Sequence, residues 1–304
     1  MALLPFRRPD TPAAPPAAGL AGMLRGYSIE VMPRTATTIA DFRALLPAGT
    51  RVYIAHIDGT PIASMVETAA RLADDGFEVV PHIPARILPD ARTLEDWVAR
   101  YQGEAGVRGA LLLAGGPAAP LGAFHSSMQL LETGIFDRAG FTRLQVAGHP
   151  EGNRDIDPDG SDRLVDEALR WKQAFSERTD AEMALLTQFV FDAAPVLDWA
   201  RRLRDEGITL PVHVGLAGPA KLQTLIKFAV SCGVGPSLRV LTRRAVDIGR
   251  LMMPYDPTEV LSGLAAASDR GLIEQVHLFP LGGIRAATDF AARHGCAPAL
   301  LAEA

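Results

Sequence analysis

The chain has 304 residues, 48% of them hydrophobic and 21% charged, with a net charge of −5. That is enough for one large core, and too acidic for a nucleic-acid surface, which needs concentrated Lys and Arg. No run approaches the roughly 20 apolar residues of a membrane span. The two cysteines, Cys232 and Cys296, argue against a disulfide framework, so a reducing cytoplasm is the expected location.

Five prolines fall in the first 16 residues, and Arg7 and Arg8 follow the short apolar patch instead of preceding it. This is not the layout of a signal peptide. Residues 1–24 therefore read as a disordered or draped Pro/Ala-rich tail, and residues 25–304 as a single domain. From there strand-like and helix-like runs alternate. "GYSIEVM" reads as a strand and "TTIADFRALL" as its helix. "RVYIAHI" precedes "PIASMVETAARLADDG", with Pro61 in the first turn and Gly76 past the last. "FEVVPHI" precedes "TLEDWVARYQGE", "VRGALLLAGG" precedes "FHSSMQLLETGIF", and "FTRLQVAGH" precedes "SDRLVDEALRWKQAFSE". "ALLTQFVF" leads to "APVLDWARRLRDEG", and "LPVHVGL" to "PAKLQTLIKFAVSCG", with Gly233 as its stop. "EQVHLFPL" and "IRAATDFAARHG" close the series.

Eight such units predict an α/β fold, a (β/α)₈ TIM barrel. Extra helices, "VLTRRAVDIGRLM" and "PTEVLSGLAAASDRG", are expected between strands 7 and 8. A doubly wound sheet is the competing arrangement, but no G-x-G-x-x-G follows the first strand.

In a barrel, reactive groups come from the carboxyl ends of the strands. Glu30, His56, His82, Gly115, Gly116, His149 and Gln188 all close or follow an apolar run. Ser28, Glu30 and Met32 share one strand face, and the bulky set Tyr27, Ile29 and Val31 shares the other. Glu30 is thereby expected in the barrel mouth, where a buried charge needs a partner or a use. Each residue also has a plainer reading: an ion pair for Glu30, hydrogen-bonded core histidines for His56 and His82, a loop tether for Gln188, and a helix-terminal cation for Lys172. Five histidines at or near strand ends (His56, His82, His149, His213 and His277) leave a metal-dependent hydrolase open, although neither H-x-H on the first strand nor H-E-x-x-H occurs. No G-x-S-x-G elbow is present.

Several segments together resemble the methylenetetrahydrofolate reductase family. They are "YSIEVMPR", "AGHPEGNRDID", "LLTQFVFD", "GITLPVHVGL" with "LQTLIKFA", and "VHLFPLGGIR", in order over residues 26–295. The sixth-strand T-Q-x-x-F-D pattern is the most specific. The resemblance implies FAD, with NADH or NADPH as the electron donor, and tetrahydrofolate derivatives as substrates of one-carbon metabolism. It implies Glu30 as general acid, with Gln188, Phe228 and Arg285 on the folate. It places the flavin near His56, His82, Ala114, Gly115, Gly116, His149, Asn153 and Lys172. It also implies a homo-oligomer and no metal. Where many members have Leu-Arg-Gly-Asp after the fourth strand, this chain has Leu113, Ala114, Gly115 and Gly116. Loss of the acidic group should make the flavin easier to reduce, which favours oxidation of 5-methyltetrahydrofolate over the reverse. A folate- or flavin-binding homologue without catalysis is the remaining alternative.

Overall fold

The computed structural model describes residues 17–231, 254–267 and 271–299, and the elements below are numbered within those residues. Eight parallel strands close in chain order into a barrel. They are β1 (Ser28–Val31), β2 (Arg51–Ile54), β3 (Glu78–Pro84), β4 (Gly109–Leu113), β5 (Arg143–Gly148), β6 (Glu182–Val190), β7 (Val212–Ala217) and β8 (Gln275–Phe279). The fold is the (β/α)₈ TIM barrel that the alternation predicts. Among the described residues no helix is long and apolar enough to cross a membrane.

The outer helices include α3 (Ile62–Asp74), α4 (Ala91–Ala105), α7 (Arg163–Ser176), α8 (Ala193–Asp205) and α11 (Ile284–Arg293). Their apolar stripes meet the outward strand positions, among them Ile29, Val31, Val52, Ile54, Leu112, Val146, Leu185, Val214 and Leu278, in one continuous core. The inward positions form a separate, smaller cluster of Tyr53, Val80, Leu111 and Leu186. Period-two alternation thus separates a helix-facing set from a barrel-interior set, as parallel strands covered by helices require.

The amino-terminal pole of the barrel is closed by charge. Arg51 Nη1 donates to Gln275 Oε1 at 2.9 Å and Arg51 Nε lies 3.1 Å from Glu78 Oε2. Arg143 reaches Glu78 on one side and Glu182 Oε2, at 2.9 Å, on the other. This chain of pairs joins β8, β2, β3, β5 and β6 at the pole opposite the carboxyl ends.

Two segments differ from the sequence reading. Residues 17–24, assigned to the tail, form helix α1 (Ala17–Leu24), whose Leu20, Met23 and Leu24 enter the main core. Residues 1–16 lie outside the described residues. The helix expected from "TTIADFRALL" does not form: only the turn α2 (Pro33–Ala36) is helical, and 37–46 run on as turns and bends. The Thr37 and Thr38 hydroxyls donate to Arg34 O and Thr35 O, so local side-chain bonds end the helix. The Arg71 guanidinium from α3 then holds the carbonyls of Ala36, Ile39 and Ala40. Phe42, Leu45 and Leu46 are buried, which is why their spacing imitates a helix.

Smaller helices complete the outer layer: α5 (Ser127–Glu132), α6 (Ile135–Arg138), α9 (Leu222–Ser231) and α10 (Thr258–Ala265). Of the extra material before β8, α10 is described, while "VLTRRAVDIGRLM" and the stop at Gly233 lie outside the described residues.

The barrel is tightest between β6, β7 and β8. A Cβ on Gly215 would meet the Phe279 ring at 2.6 Å and the Thr187 and Gln188 carbonyls at 2.7 Å. Gly215→Ala is expected to destabilise the fold by about 1–3 kcal/mol in chemical denaturation, since backbone cannot retreat from a new methyl. Gly116→Ala, with nothing within 4 Å of the new atom, serves as the neutral control.

Candidate functional site

β1 presents Ser28 and Glu30 on its inward face. Ser28 fixes that orientation, because its Oγ hydrogen-bonds His277 Nδ1 of β8 at 2.9 Å inside the barrel. Glu30 follows two residues later at the carboxyl end, with its side chain 19% exposed. Burial raises its pKa from 4.5 to about 8. Removing a carboxylate from water disfavours the charged form, and the shift carries no compensating cation.

The nearest titratable neighbour is His82 of β3, whose Nε2 lies 3.3 Å from Glu30 Oε2. Burial lowers the His82 pKa to about 3, with the neighbouring His56 adding to the shift. Between those two values both groups are neutral. The contact therefore joins a carboxylic acid to an imidazole and is not an ion pair. Tyr53 of β2 stands edge-on to His82 at 6.3 Å and to His277 at 4.7 Å. Tyr53 Oη, His82 Nε2, Gln145 Oε1 and His277 Nε2 are buried with no hydrogen-bond partner in the protein. Such atoms are normally satisfied, so their grouping in one barrel interior is the least ordinary feature of the core.

The other expected residues separate into groups. His56 is buried, stacked on Trp97 at 4.8 Å, with Nε2 at 3.0 Å from Thr60 O and Nδ1 unpartnered. His149 and Asn153, after β5, meet through Nδ1 and Nδ2 at 3.4 Å. Burial takes the His149 pKa down to about 3, helped by the Lys172 charge. Lys172 crosses from α7 and donates from Nζ to Ala147 O at 2.8 Å. Burial lowers its pKa to about 8. At the β4 exit Gly115 has φ of 100°, where an added Cβ would meet Pro84 Cβ at 2.9 Å, and Gly116 is open. The cation at this corner, Arg86, donates to Pro117 O at 3.0 Å and His125 O at 3.3 Å.

Gln188 sits in an irregularity of β6 between Leu186 and Phe189. The Thr187 hydroxyl stabilises it by accepting from Gly215 N at 2.9 Å and donating to Gln188 O at 2.8 Å. The Gln188 side-chain carbonyl accepts from Phe189 N at 3.1 Å. The irregularity turns Phe189 into an aromatic wall with Phe279 and Phe191, at ring separations of 5.5 and 5.7 Å. Phe228 is not part of that wall; it stands on α9, 36% exposed. Arg285 is exposed in the first turn of α11.

Two of the five histidines are displaced from the expected rim. His213 lies near the start of β7, with Nε2 3.6 Å from Glu274 Oε2 at the amino-terminal pole. His277 is enclosed in the middle of β8. Among the described residues no three His, Cys, Asp or Glu side chains gather to hold a metal ion. Sequence reasoning missed Tyr53 and Phe279. The signal was the same two-residue alternation that found Glu30, applied to "VYI" and "HLF". A cavity of about 470 Å³ lies elsewhere, between the 33–42 segment and α3, lined by Arg34, Thr37, Phe42, Ser64 and Arg71 among others. None of the expected site residues lines it.

No family model matches the chain. An uncharacterized protein from Clostridium thermocellum, which binds two copies of 5-methyl-5,6,7,8-tetrahydrofolic acid, superposes with a TM-score of 0.53 at 12% identity. The match covers 90% of this chain and 96% of that one. A mandelate racemase/muconate lactonizing enzyme from Bordetella bronchiseptica RB50 gives a TM-score of 0.40 at 14% identity, over 83% of this chain. It covers 52% of that protein, so the present chain spans about half its length. At 12% identity the likeness to the Clostridium thermocellum protein establishes a shared fold.

The raised pKa of Glu30 has a thermodynamic signature. As pH climbs from 4.5 to about 8 the unfolded carboxyl ionises while the folded one stays protonated, so stability falls over that window. Glu30→Gln removes the titration. The variant is expected to match wild type near pH 4 and to gain on it by about 1.4 kcal/mol per pH unit at most. Denaturation midpoints measured across the window check this; a difference independent of pH contradicts it.

Proposed function

We propose that the protein is a flavin-dependent oxidoreductase that interconverts 5,10-methylenetetrahydrofolate and 5-methyltetrahydrofolate, with Glu30 as general acid. The observation that carries the reading is a carboxyl held protonated near neutral pH at the carboxyl end of a barrel strand, beside inward-facing polar groups. The near full-length fold likeness to a barrel that binds 5-methyltetrahydrofolic acid supports the substrate class.

The chemistry needs such a group. Opening the methylene bridge breaks the bond from the bridging carbon to N10, and the departing nitrogen must gain a proton. Glu30 supplies it, leaving an iminium at N5 whose carbon accepts hydride. In the oxidative direction the sequence reverses, and the Glu30 carboxylate takes the N10 proton as the ring closes. A pKa of about 8 serves both directions, because the acid and its conjugate base are both accessible near neutral pH.

Gln188 would orient the pterin through the NH₂ end of its amide, its carbonyl being bonded to Phe189 N. Phe189 and Phe279, packed edge to face at 5.5 Å, would give a heteroaromatic ring an apolar neighbour. The flavin would be held at the exits of β2, β4 and β5: by close backbone approach at Gly115 and Gly116, an unpartnered Nδ1 on His56, and polar groups on His149, Asn153 and Lys172. When bound it would supply the two-electron carrier, reduced by NADH or NADPH in one direction and reoxidised by NAD⁺ or NADP⁺ in the other. Arg86 is committed to carbonyls, and no acidic residue stands at 114–116. The lack of an acidic group there favours easy flavin reduction and hence 5-methyltetrahydrofolate oxidation.

The test is a pair of measurements on purified protein reconstituted with FAD. Mixing with 5-methyltetrahydrofolate should bleach the flavin absorbance. Glu30→Gln should slow the folate half-reaction about 10²–10⁴-fold while leaving flavin content unchanged. Full activity in Glu30→Gln, or folate binding with no flavin uptake, would overturn the proposal.

A further inference from the structure

The Glu30–His82 contact has a consequence for how the acid works. His82 is set in "PHIP", between Pro81 and Pro84, whose rings restrict the backbone on either side. The same short segment switches partners: Ile54↔Pro81 ties it to β2, and His82↔Leu111 ties it to β4. The imidazole is thus held on the inward face by a stiff, doubly paired strand. Its Nε2 is buried, 3.3 Å from Glu30 Oε2, and makes no hydrogen bond in the protein. Catalytic hydrogen bonds are often long in the free protein and shorten in the complex. Around His82 the other titratable groups are His56 at the β2 exit, Tyr53 of β2 with its ring 6.3 Å away, and His277 of β8, all buried. Burial alone raises the Glu30 pKa, with no cation contributing to offset it.

We propose that His82 is the positioning residue of the general acid: its Nε2–H donates to Glu30 Oε2, which turns the protonated Oε1 toward the substrate nitrogen. This rests on the proposed role of Glu30 and extends it. With both groups neutral the bond is ordinary. Once the proton has left Oε1 for the substrate, the same N–H faces a carboxylate, and a bond to a charged acceptor is roughly twice as strong. The imidazole keeps its proton throughout, and no electron moves. His82 therefore lowers the cost of a buried carboxylate that desolvation would otherwise make prohibitive. The resemblance assigns His82 to the flavin; this geometry assigns its Nε2 to the acid.

The experiment compares His82→Leu, which removes the donor, with His82→Gln, which retains an N–H, each checked for folding by circular dichroism. The first readout is the Glu30 carboxyl titration by ¹³C NMR of glutamate-labelled protein without cofactor, assigned with Glu30→Gln. The expected result is an upward shift of about one pH unit in His82→Leu, with most of it restored in His82→Gln. The second readout is the alkaline limb of kcat/KM for the FAD-loaded enzyme, which should move in the same direction. An unshifted Glu30 titration in His82→Leu, with or without loss of flavin, would overturn the proposal. The underlying reading fails separately, through an active Glu30→Gln enzyme, whatever His82 does.

Discussion

Everything distinctive in this molecule depends on one constraint: a carboxyl group is carried into the barrel by a strand too short to let it out. β1 runs only from Ser28 to Val31, and the Ser28–His277 hydrogen bond locks which face looks inward. Ile29 and Val31 are committed to the helices, so Glu30 has no alternative to the mouth. There it meets the His82 imidazole, which burial keeps neutral, and no cation acts on it. The result is a weak acid that is still charged with its proton at neutral pH.

The barrel divides its polar residues by pole. At the amino-terminal end Arg51, Glu78, Arg143 and Glu182 neutralise one another in a chain that ties neighbouring strands. Toward the carboxyl ends His56 Nδ1 and His82 Nε2 lack protein partners, and deeper in the barrel so does His277 Nε2. Satisfied charge at one pole serves stability, and unsatisfied neutral groups near the other are available for recognition and proton movement. Between them, Phe189 and Phe279 of β6 and β8 pack edge to face as a buried apolar cluster.

Much of this was legible in the sequence, for a physical reason. Parallel strands under helices are short apolar runs with strict alternation, so the eight units and the inward placement of Glu30 follow from pattern alone. What was not legible depended on partners distant in the chain. Phe42, Leu45 and Leu46 have helical spacing, yet Arg71 and two threonine hydroxyls hold that segment in turns. Residues 17–24 read as tail because small residues carry little signal; only docking into the core reveals α1. His213 and His277 looked like rim residues because strand length, set by register with β8 and β1, cannot be read from one strand. The Phe189–Phe279 pairing was not legible because it depends on the irregularity in β6.

The central claim is that Glu30 stays protonated in the folded protein at neutral pH, and infrared difference spectroscopy addresses it most directly. The wild-type minus Glu30→Gln spectrum should contain a protonated-carboxyl C=O band at pH 7 that fades with a midpoint near pH 8. Disappearance of that band by pH 5, leaving only carboxylate stretches, would contradict the account.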